Sequence, residues 1–403
     1  MHAVFSLLCA TLIQGADSVG GPPRAATRTT DSAPDPVSIV DRVVAHGLAA
    51  GGYPGIAVVI GRRDTTLLAR GYGHVDWNPT SAVVDVSRTM YDLASLTKVV
   101  ATTTAIMILY DHHRLDLDAP ASRYLPRWRV GAQSGVTIRD LLTHRSGLPA
   151  GRELWRLART PAAARRAVLA TPLESRPGER YAYSDLGADI LGFVVEAITR
   201  QPLDQYLARH LYDRLGMRNT RFRPTRADDR RIAPTEAPLG RVHDRNAATL
   251  GGVAGHAGLF SSAGDLAILS RMMLQGGVYH GVRIVTDSAV ERFTSRARGT
   301  RALGWDTCAG GASCGQYMDT AAYGHTGYTG TSMWIDPDHD LFVIVLANWA
   351  SGTSGHPAGP GAILADVRAD IADLAEATIA ESHADTVARR AMLTLRSDGA
   401  RGW

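Results

Sequence analysis

A serine and a lysine lie three residues apart in the stretch 92–98, where the sequence pattern predicts the start of a helix. Side chains at positions i and i+3 of a helix share one face, with Cβ atoms about 5–6 Å apart, so the Lys98 amine can reach the Ser95 hydroxyl. A partly buried lysine can lose its proton and act as a base, whereas an arginine cannot. Lys98 is the single lysine among 43 basic residues. We therefore interpret the pair as a candidate nucleophile and base, against the alternative of a surface lysine at a helix start.

Tyr183 is the second candidate for acid–base chemistry, in a predicted turn before a buried helix. A nearby lysine ammonium would favour the phenolate form of a tyrosine, which could then shuttle a proton between Ser95 and a leaving group. In the alternative interpretation, Tyr183 packs against the first turn of the helix while Ser184 or Asp185 caps it. The stretch by itself does not decide between the two.

A third stretch, residues 324–330, is rich in glycine and leads into a predicted strand. Glycine at position 327 would let the backbone approach a ligand closely. An edge strand here could pair with an extended substrate and offer a backbone N–H to an oxyanion. Taken alone, the stretch is a glycine-rich turn, in which His325 is a metal ligand or a packed ring.

Hydrophobic periodicity predicts strands near both ends of the chain and helices between them. The predicted helices are residues 37–50, 95–112, 137–144, 186–200, 264–274 and 361–380, and the predicted strands are 55–60, 65–70, 302–306, 330–336 and 341–348. The last strand is a continuous apolar run, as in a strand buried on both faces. We therefore expect one sheet that is closed by both chain ends, with a helical insertion in between.

The composition is typical of a globular protein: 403 residues, 45% of them hydrophobic, with a mean hydropathy of −0.08. The net charge is +4, and the arginines are scattered rather than clustered with aromatic residues, so no nucleic-acid partner is expected. No apolar run reaches the roughly 18–20 residues that a membrane-spanning helix needs.

The N-terminal sequence predicts export. An apolar run over residues 3–13, followed by small residues, is typical of a signal peptide, which we assign to residues 1–16. A linker rich in Gly, Pro, Thr and Asp follows at 17–35, and an arginine-rich tail occupies 381–403. We therefore expect a periplasmic or secreted protein. Export would favour a disulfide between Cys308 and Cys314, the alternative being two free thiols.

The three motifs, in their order along the chain, resemble those of the serine β-lactamase-like and penicillin-recognising hydrolases. The similarity is strongest to the branch of class C β-lactamases, D-alanyl-D-alanine carboxypeptidases and esterases. Residues 114–118, 124–126, 137–149, 177–178 and 304–305 are similar to further hallmarks of that branch. The resemblance covers residues 37–380, which we expect to form the catalytic domain.

The resemblance implies an α+β fold of the β-lactamase/transpeptidase type. One subdomain would be an α/β sandwich, an antiparallel sheet flanked by helices, from about residues 37–95 and 265–380. The other would be all-helical, from about residues 100–260.

The resemblance also implies roles for individual residues. Ser95 would be the acylated nucleophile, and Lys98 would be its base or the group that polarises Tyr183. Tyr183 would act as general acid and base. The backbone N–H groups of Ser95 and Tyr328 would form the oxyanion hole. The substrate would be bound by Asp185, His325, Thr326 and Gly327, with His325 and Thr326 facing its carboxylate or acyl side chain.

Two positions depart from the family pattern. His325 stands where the third motif often has lysine, so a substrate carboxylate would be bound more weakly and with pH dependence. Asp185 stands where the second motif commonly has asparagine, which removes an amide donor for the substrate carbonyl. Both departures argue against an efficient β-lactamase and are compatible with a peptidase or an esterase.

A further pair of stretches, 240–247 and 255–260, resembles β-lactamase-related serine hydrolases. His243, Asp244 and His256 are either metal ligands or, as we favour, buried hydrogen-bonding groups that shape a loop beside the site.

We therefore expect a serine hydrolase that works through an acyl-enzyme, without cofactor or metal. The leading hypothesis is a D-alanyl-D-alanine carboxypeptidase-like or β-lactamase-related amide hydrolase. The alternatives are a small-ester hydrolase of the same fold and a penicillin-binding sensor that deacylates slowly. The partner would be a small-molecule or peptide substrate, and the protein would be a monomer.

Overall fold

A six-stranded antiparallel sheet, built from both ends of the chain, is the centre of the molecule. The computed structural model describes residues 36–128, 131–310, 313–351 and 361–379. The strands are β1 (Gly55–Gly61), β2 (Thr66–Gly73), β3 (Tyr91–Asp92), β4 (Arg221–Phe222), β5 (Leu259–Ser261), β6 (Val278–Tyr279), β7 (Val282–Arg283), β8 (Asp306–Thr307), β9 (Tyr323–Gly327), β10 (Thr331–Asp336) and β11 (Leu341–Ala347). The order in the main sheet is β2-β1-β11-β10-β9-β8.

Helices cover the sheet and fill the middle of the chain. They are α1 (Pro36–Ala49), α2 (Thr104–Asp111), α3 (Ile138–Leu142), α4 (Leu154–Leu157), α5 (Pro161–Leu169), α6 (Asp185–Thr199), α7 (Leu203–Leu207), α8 (Asp213–Leu215), α9 (Arg245–Thr249), α10 (Ala263–Leu274), α11 (Asp287–Thr294) and α12 (Gly361–Ala377). Two segments are π-helical, Lys98–Thr103 and Ala208–Tyr212. Short 3₁₀ segments occur at Ala121–Arg123, Pro126–Trp128, Gly131–Gly135, Asp229–Arg231 and Cys308–Gly310.

The pairing of β1 with β11 joins the N-terminal and C-terminal strands into one sheet. Its register runs from Ile56 opposite Ala347 to Gly61 opposite Phe342. Both strands are buried along their whole length. Alternate residues of a strand face opposite sides of a sheet. A strand covered on both sides therefore needs apolar residues at every position, and this is why β11 could be recognised as a continuous apolar run.

Each face of the sheet has its own hydrophobic core. Ile56, Val58 and Ile60 of β1 pack with residues of α1 and α12 on one face. Ala57 and Val59 point to the other face, where the core continues through α10 into the helical middle of the chain. The α+β class, with an antiparallel sheet flanked by helices and a helical region beside it, is confirmed.

Several predicted elements differ in detail. Ser95 lies in a turn, and the helix begins after it, at Leu96. The predicted strand 302–306 is reduced to Asp306–Thr307, and the predicted helix 137–144 to Ile138–Leu142, which a capping box at Thr137 starts. The glycine-rich stretch that was expected to lead into a strand is itself mostly strand β9. A small sheet with the order β3-β5-β4 was not predicted, because its strands have only two or three residues.

Cys308 and Cys314 form a disulfide, with their Cα atoms 6.1 Å apart. Among the described residues, no helix is long and apolar enough to cross a membrane. The predicted signal peptide, linker and tail lie outside the described residues.

Candidate active site

Ser95 lies in a turn that hydrogen bonds fix from several sides. The preceding residue, Ala94, has a φ of 46°, in the left-handed region that non-glycine residues seldom adopt. The buried carboxylate of Asp92 holds this conformation by accepting hydrogen bonds from Ala94 N (2.9 Å) and His243 N (2.7 Å). Burial nevertheless raises the pKa of Asp92 to about 6. A strained residue beside the candidate nucleophile is typical of a functional turn.

Lys98 is almost completely buried, at 3% exposure, and its Nζ is held by three oxygen atoms. It donates to Ser95 Oγ at 3.0 Å and to the backbone carbonyl of His256 at 3.2 Å. It also forms an ion pair with Asp185 Oδ1 at 2.8 Å. The predicted contact between Lys98 and Ser95 is therefore present, although Ser95 precedes the helix.

The charges around Lys98 favour its protonated form. Burial by itself would lower the pKa of Lys98, but Tyr183 and the Asp185 carboxylate more than offset this and raise it above the ordinary value. Burial likewise opposes ionisation of Asp185, yet the neighbouring Lys98 lowers the pKa of that carboxyl. The two groups therefore form a buried ammonium–carboxylate pair beside Ser95.

Tyr183 lies beside this pair, directly before α6. Its ring centroid is 4.8 Å from Lys98 Nζ, 4.5 Å from the ring of His144 and 5.9 Å from the ring of His325. Ser184, rather than Asp185, caps α6, because its Oγ accepts a hydrogen bond from Gly187 N. The helix is thus capped locally, and Tyr183 also faces Lys98, while its part in proton transfer stays a prediction.

His144 is a site residue that the sequence interpretation missed, although it falls in the stretch 137–149, which is similar to a family hallmark. Its Nδ1 accepts a hydrogen bond from Ser184 N at 3.1 Å, and this contact positions the backbone next to Tyr183. Burial, together with the positive charges of Arg301 and Lys98, holds the pKa of His144 well below its usual value. His144 is therefore a neutral ring that supports one side of Tyr183.

His325 is also neutral. Burial lowers its pKa well below the usual range, and Arg301 and Lys98 lower it further. Its Nδ1 donates to the carbonyl of Thr326 at 2.7 Å. Among the described residues its buried Nε2 has no hydrogen-bond partner. The partial positive charge that was expected at this position is therefore absent near neutral pH, and His325 offers a neutral ring nitrogen instead.

Gly327 allows a close contact within the protein, whereas the sequence predicted a close approach of the backbone to a ligand. A Cβ atom at this position would lie 2.2 Å from Thr331 Oγ1 and 2.3 Å from the carbonyl oxygen of Leu93. The glycine therefore lets β9 pack against the turn that carries Ser95. β8 pairs only with Tyr323 and Gly324, so the remaining residues of β9, including the half-buried Thr326, lie beyond its end.

Tyr328 follows β9 and is 63% exposed. Its ring stacks on His243, with centroids 5.5 Å apart, and tilts against Trp349 at 5.2 Å. Immediately after it, Thr329 Oγ1 donates to the carbonyl of Asp92 at 2.6 Å. This bond ties the backbone around Tyr328 to the turn that carries Ser95.

A buried network of charged side chains is centred on His256, whose backbone carbonyl accepts a hydrogen bond from Lys98 Nζ. The sequence did not predict this network of charges. His256 Nδ1 lies 2.7 Å from Asp189 Oδ1, and its Nε2 lies 3.0 Å from Asp244 Oδ1. Burial alone would lower the pKa of His256, but the two carboxylates raise it well above 6.5. Both ring nitrogens are therefore engaged in ion pairs. This arrangement matches the favoured interpretation of buried hydrogen bonds for His256 and Asp244.

A cavity of about 340 Å³ opens at Ser95. It is lined by Ala94, Ser95, Trp155, Asp185, His243, Asp244, Arg245, Asn246, His256, Ala257 and Tyr328. A larger apolar cavity of about 1140 Å³ lies in the helical region between Tyr124 and Leu173. None of the groups described above lines that larger cavity, so the chemistry belongs to the smaller one.

Comparison with known proteins places these features in a family context. The family model described as Beta-lactamase matches residues 40–368. A protein of Salmonella agona (strain SL483), provisionally named a D-alanyl-D-alanine carboxypeptidase, is 32% identical over 342 residues, which cover 74% of this chain and 79% of that protein.

Solved structures share the fold at lower identity. A penicillin-binding protein homologue from Caulobacter crescentus has a TM-score of 0.69 and 18% identity, covering 87% of this chain and 99% of the other. EstCE1, described as a hydrolase with promiscuous acyltransferase activity, has a TM-score of 0.68 and 22% identity, covering 84% and 98%. At these identities the likeness concerns the fold alone.

Proposed function

Because this chain belongs to the beta-lactamase family, we propose that it is a serine hydrolase that forms an acyl-enzyme on Ser95. The observation that carries the proposal is the buried Lys98, whose Nζ lies 3.0 Å from Ser95 Oγ and 2.8 Å from Asp185 Oδ1. A buried ammonium is costly unless it is paired, and here its position beside a hydroxyl gives it a chemical use.

In the proposed mechanism, Lys98 acts through its charge and Tyr183 moves the proton. The raised pKa of Lys98 favours an ammonium over a free amine, and an ammonium cannot take a proton from Ser95. Its charge stabilises the phenolate of Tyr183, which accepts the Ser95 proton as Oγ bonds to the substrate carbonyl carbon. Tyr183 then gives that proton to the leaving group. In deacylation, Tyr183 accepts a proton from water as the water oxygen bonds to the acyl carbon. It then returns that proton to Ser95 Oγ as the bond between Oγ and the acyl carbon breaks.

We assign the oxyanion hole to the backbone N–H groups of Ser95 and Tyr328. The hydrogen bonds from Thr329 to Asp92 and from Thr331 to Leu93 support this assignment, because they tie the two backbone segments together. Preorganised donors of this kind each contribute about 10²–10³-fold to turnover.

We propose a D-alanyl-D-alanine peptide of the cell-wall type as the substrate, with carboxypeptidase activity. The similarity to the Salmonella agona protein supports this choice. The absence of an amide donor at Asp185 argues against an efficient β-lactamase. Export to the periplasm or outside the cell would bring the enzyme to such a substrate and belongs to the same proposal.

A second candidate is a small-ester hydrolase. The observation that favours it is the neutral His325, which offers no positive charge to the carboxylate at the end of a peptide. An ester also has a better leaving group than an amide and depends less on proton delivery. A slowly deacylating penicillin-binding sensor is the remaining alternative.

The test combines labelling with a substrate panel. A fluorescent penicillin or fluorophosphonate should form an adduct on Ser95, located by mass spectrometry, and Ser95→Ala should abolish it. Release of D-alanine from a D-Ala-D-Ala peptide would support the carboxypeptidase, and turnover of para-nitrophenyl esters alone would support the esterase. A lasting penicillin adduct without turnover would identify the sensor. Labelling that is unchanged in Ser95→Ala would refute the proposed nucleophile.

A further inference from the structure

Arg245 and Trp155 form one wall of the cavity at Ser95. The Arg245 guanidinium lies over the indole ring of Trp155, 3.5 Å from its centroid. The backbone N–H of Leu154 donates to Asn246 Oδ1 at 2.9 Å, which holds α4 against α9 and keeps the two side chains together. A guanidinium stacked on an aromatic ring keeps its N–H groups free at the edge for an acceptor.

The two carboxylates in the cavity wall are already held in ion pairs. Asp185 is paired with Lys98, and Asp244 is paired with His256. Arg245, by contrast, has no carboxylate within ion-pair distance among the described residues. It is also the only arginine or lysine in the cavity lining. Of the described basic residues that line the cavity, Arg245 is therefore the one that is not held in an ion pair.

A neighbouring arginine shows the contrast. Arg156 stacks on the same Trp155 ring, 4.4 Å from its centroid. It forms an ion pair with Glu153 at 3.3 Å and does not line the cavity. Stacking on Trp155 is thus common to both residues, whereas a free charge that faces the site of Ser95 is particular to Arg245.

We propose that Arg245, supported by Trp155, binds a carboxylate of the substrate in the cavity beside Ser95. The inference deepens the proposed function, on which it rests, by assigning the substrate class: acyl compounds that carry a second, anionic group near the reacting carbonyl. The neutral His325 cannot supply this charge, and the Arg301 guanidinium near it is buried and paired with Asp306 at 3.3 Å, so the inference places the anion at Arg245 and not at the third motif. Arg245 is a specificity-determining residue that takes no part in the chemical step.

The test compares two esters of equal chain length, mono-para-nitrophenyl glutarate, which is anionic, and para-nitrophenyl pentanoate, which is neutral. The readout is the ratio of their kcat/KM values. Arg245→Gln should lower the ratio about tenfold or more, as expected for the loss of a hydrogen-bonded ion pair. Arg245→Lys should recover part of it, because a lysine keeps the charge but not the planar fork. Arg156→Gln is the matched control and should leave the ratio unchanged.

Two results would overturn the inference: an unchanged ratio in Arg245→Gln, or an equal fall in Arg156→Gln. Calorimetric binding of the glutarate ester to Ser95→Ala protein separates this inference from the proposed function, because it requires no turnover. If the wild-type protein hydrolyses neither ester but Ser95→Ala binds the glutarate ester through Arg245, the hydrolase proposal fails and the inference stands. If that binding is the same with and without Arg245→Gln, the inference fails.

Discussion

Lys98 is the residue at which this chain departs most in its chemistry from a simple serine–lysine pair. A free amine would be the base for Ser95, but the Asp185 carboxylate at 2.8 Å and the carbonyl of His256 at 3.2 Å both favour the ammonium. In the sequence, Asp185 indicated the loss of an amide donor. In the structure, its carboxylate is the counter-charge of Lys98. The proposed mechanism therefore assigns proton transfer to Tyr183.

Tyr183→Phe should reduce acylation of Ser95 by about 10²–10⁴-fold, the usual contribution of a general base. The substitution keeps the ring that packs on His144 and His325, so the fold should be retained. Labelling kinetics with a fluorophosphonate would measure the effect. Tyr181→Phe is the matched control, since Tyr181 is in the same loop and also contacts His144, yet is 48% exposed. Equal losses in both variants would count against Tyr183 as the proton carrier.

Asp185→Asn should move the alkaline limb of the pH profile of kcat/KM to lower pH. Asp185 raises the pKa of Lys98, so Lys98 should lose its proton at a lower pH when the carboxylate is removed. The site then loses the ammonium charge that the proposed mechanism needs. Asp118→Asn, which removes a mostly exposed carboxylate paired with Arg139, should leave the limb in place. An alkaline limb that stays at the same pH, or moves to higher pH, in Asp185→Asn would contradict the role given to this carboxylate.

Among the elements, β9 and the turn that carries Ser95 have to be considered together. β9 carries His325 and Thr326, and Gly327 lets it approach the backbone of Leu93 closely. The hydroxyl groups of Thr329 and Thr331 donate to the carbonyls of Asp92 and Leu93. The β9–β10 turn and the first residue of β10 are thus hydrogen-bonded to the segment that leads into Ser95, and β9 packs against it, so displacement of one should displace the other.

Gly327→Ala should lower both stability and acylation of Ser95. The added Cβ would lie within 2.3 Å of Thr331 Oγ1 and Leu93 O, so β9 has to shift, at a cost of about 1–3 kcal/mol, as for overpacked cores. Thermal unfolding and fluorophosphonate labelling would measure the two effects. Gly135→Ala is the control, because nothing lies within 4 Å of a Cβ atom there. Normal labelling in a stable Gly327→Ala protein would show that this contact does not position Ser95.

At the scale of the whole molecule, one hydrophobic core joins the sheet to the helical region. It includes Ala57 and Ile344 of the sheet together with Leu141 and Val194 of the helices. The opposite face of the sheet packs on α1 and α12, which come from the two ends of the described chain. Because the sheet is shared by both cores and is closed by β1 and β11, neither region has a complete core of its own.

We therefore expect a single cooperative unfolding transition. Circular dichroism and loss of Ser95 labelling should give the same midpoint on heating. Ile371→Ala, a fully buried position of α12 on the face opposite the helical region, should lower both midpoints together, with a cost of about 2–5 kcal/mol. Val83→Ala, at a position that is 69% exposed, should change neither. Two separate midpoints would show that the regions unfold independently.

The monomeric state stays a prediction, which light scattering can check.

The amino-acid sequence by itself determined the features that depend on neighbours along the chain. The continuous apolar run of β11 predicted a strand buried on both faces, and β1 was predicted as a strand. The spacing of Ser95 and Lys98 predicted their contact. The order of the three motifs predicted the family. Strands β3, β4 and β5 escaped prediction because two or three residues are too few to show a period.

Only the tertiary structure decided the charge states of the site. The pKa of a group depends on its burial and on charges that the fold brings near it. Lys98 meets the carbonyl of His256 across 158 positions of the chain, and His256 meets Asp189 across 67. The neutral state of His325 likewise depends on burial together with Arg301 and Lys98. No local pattern encodes such separations, so the protonation of the site follows from the fold and not from the motifs.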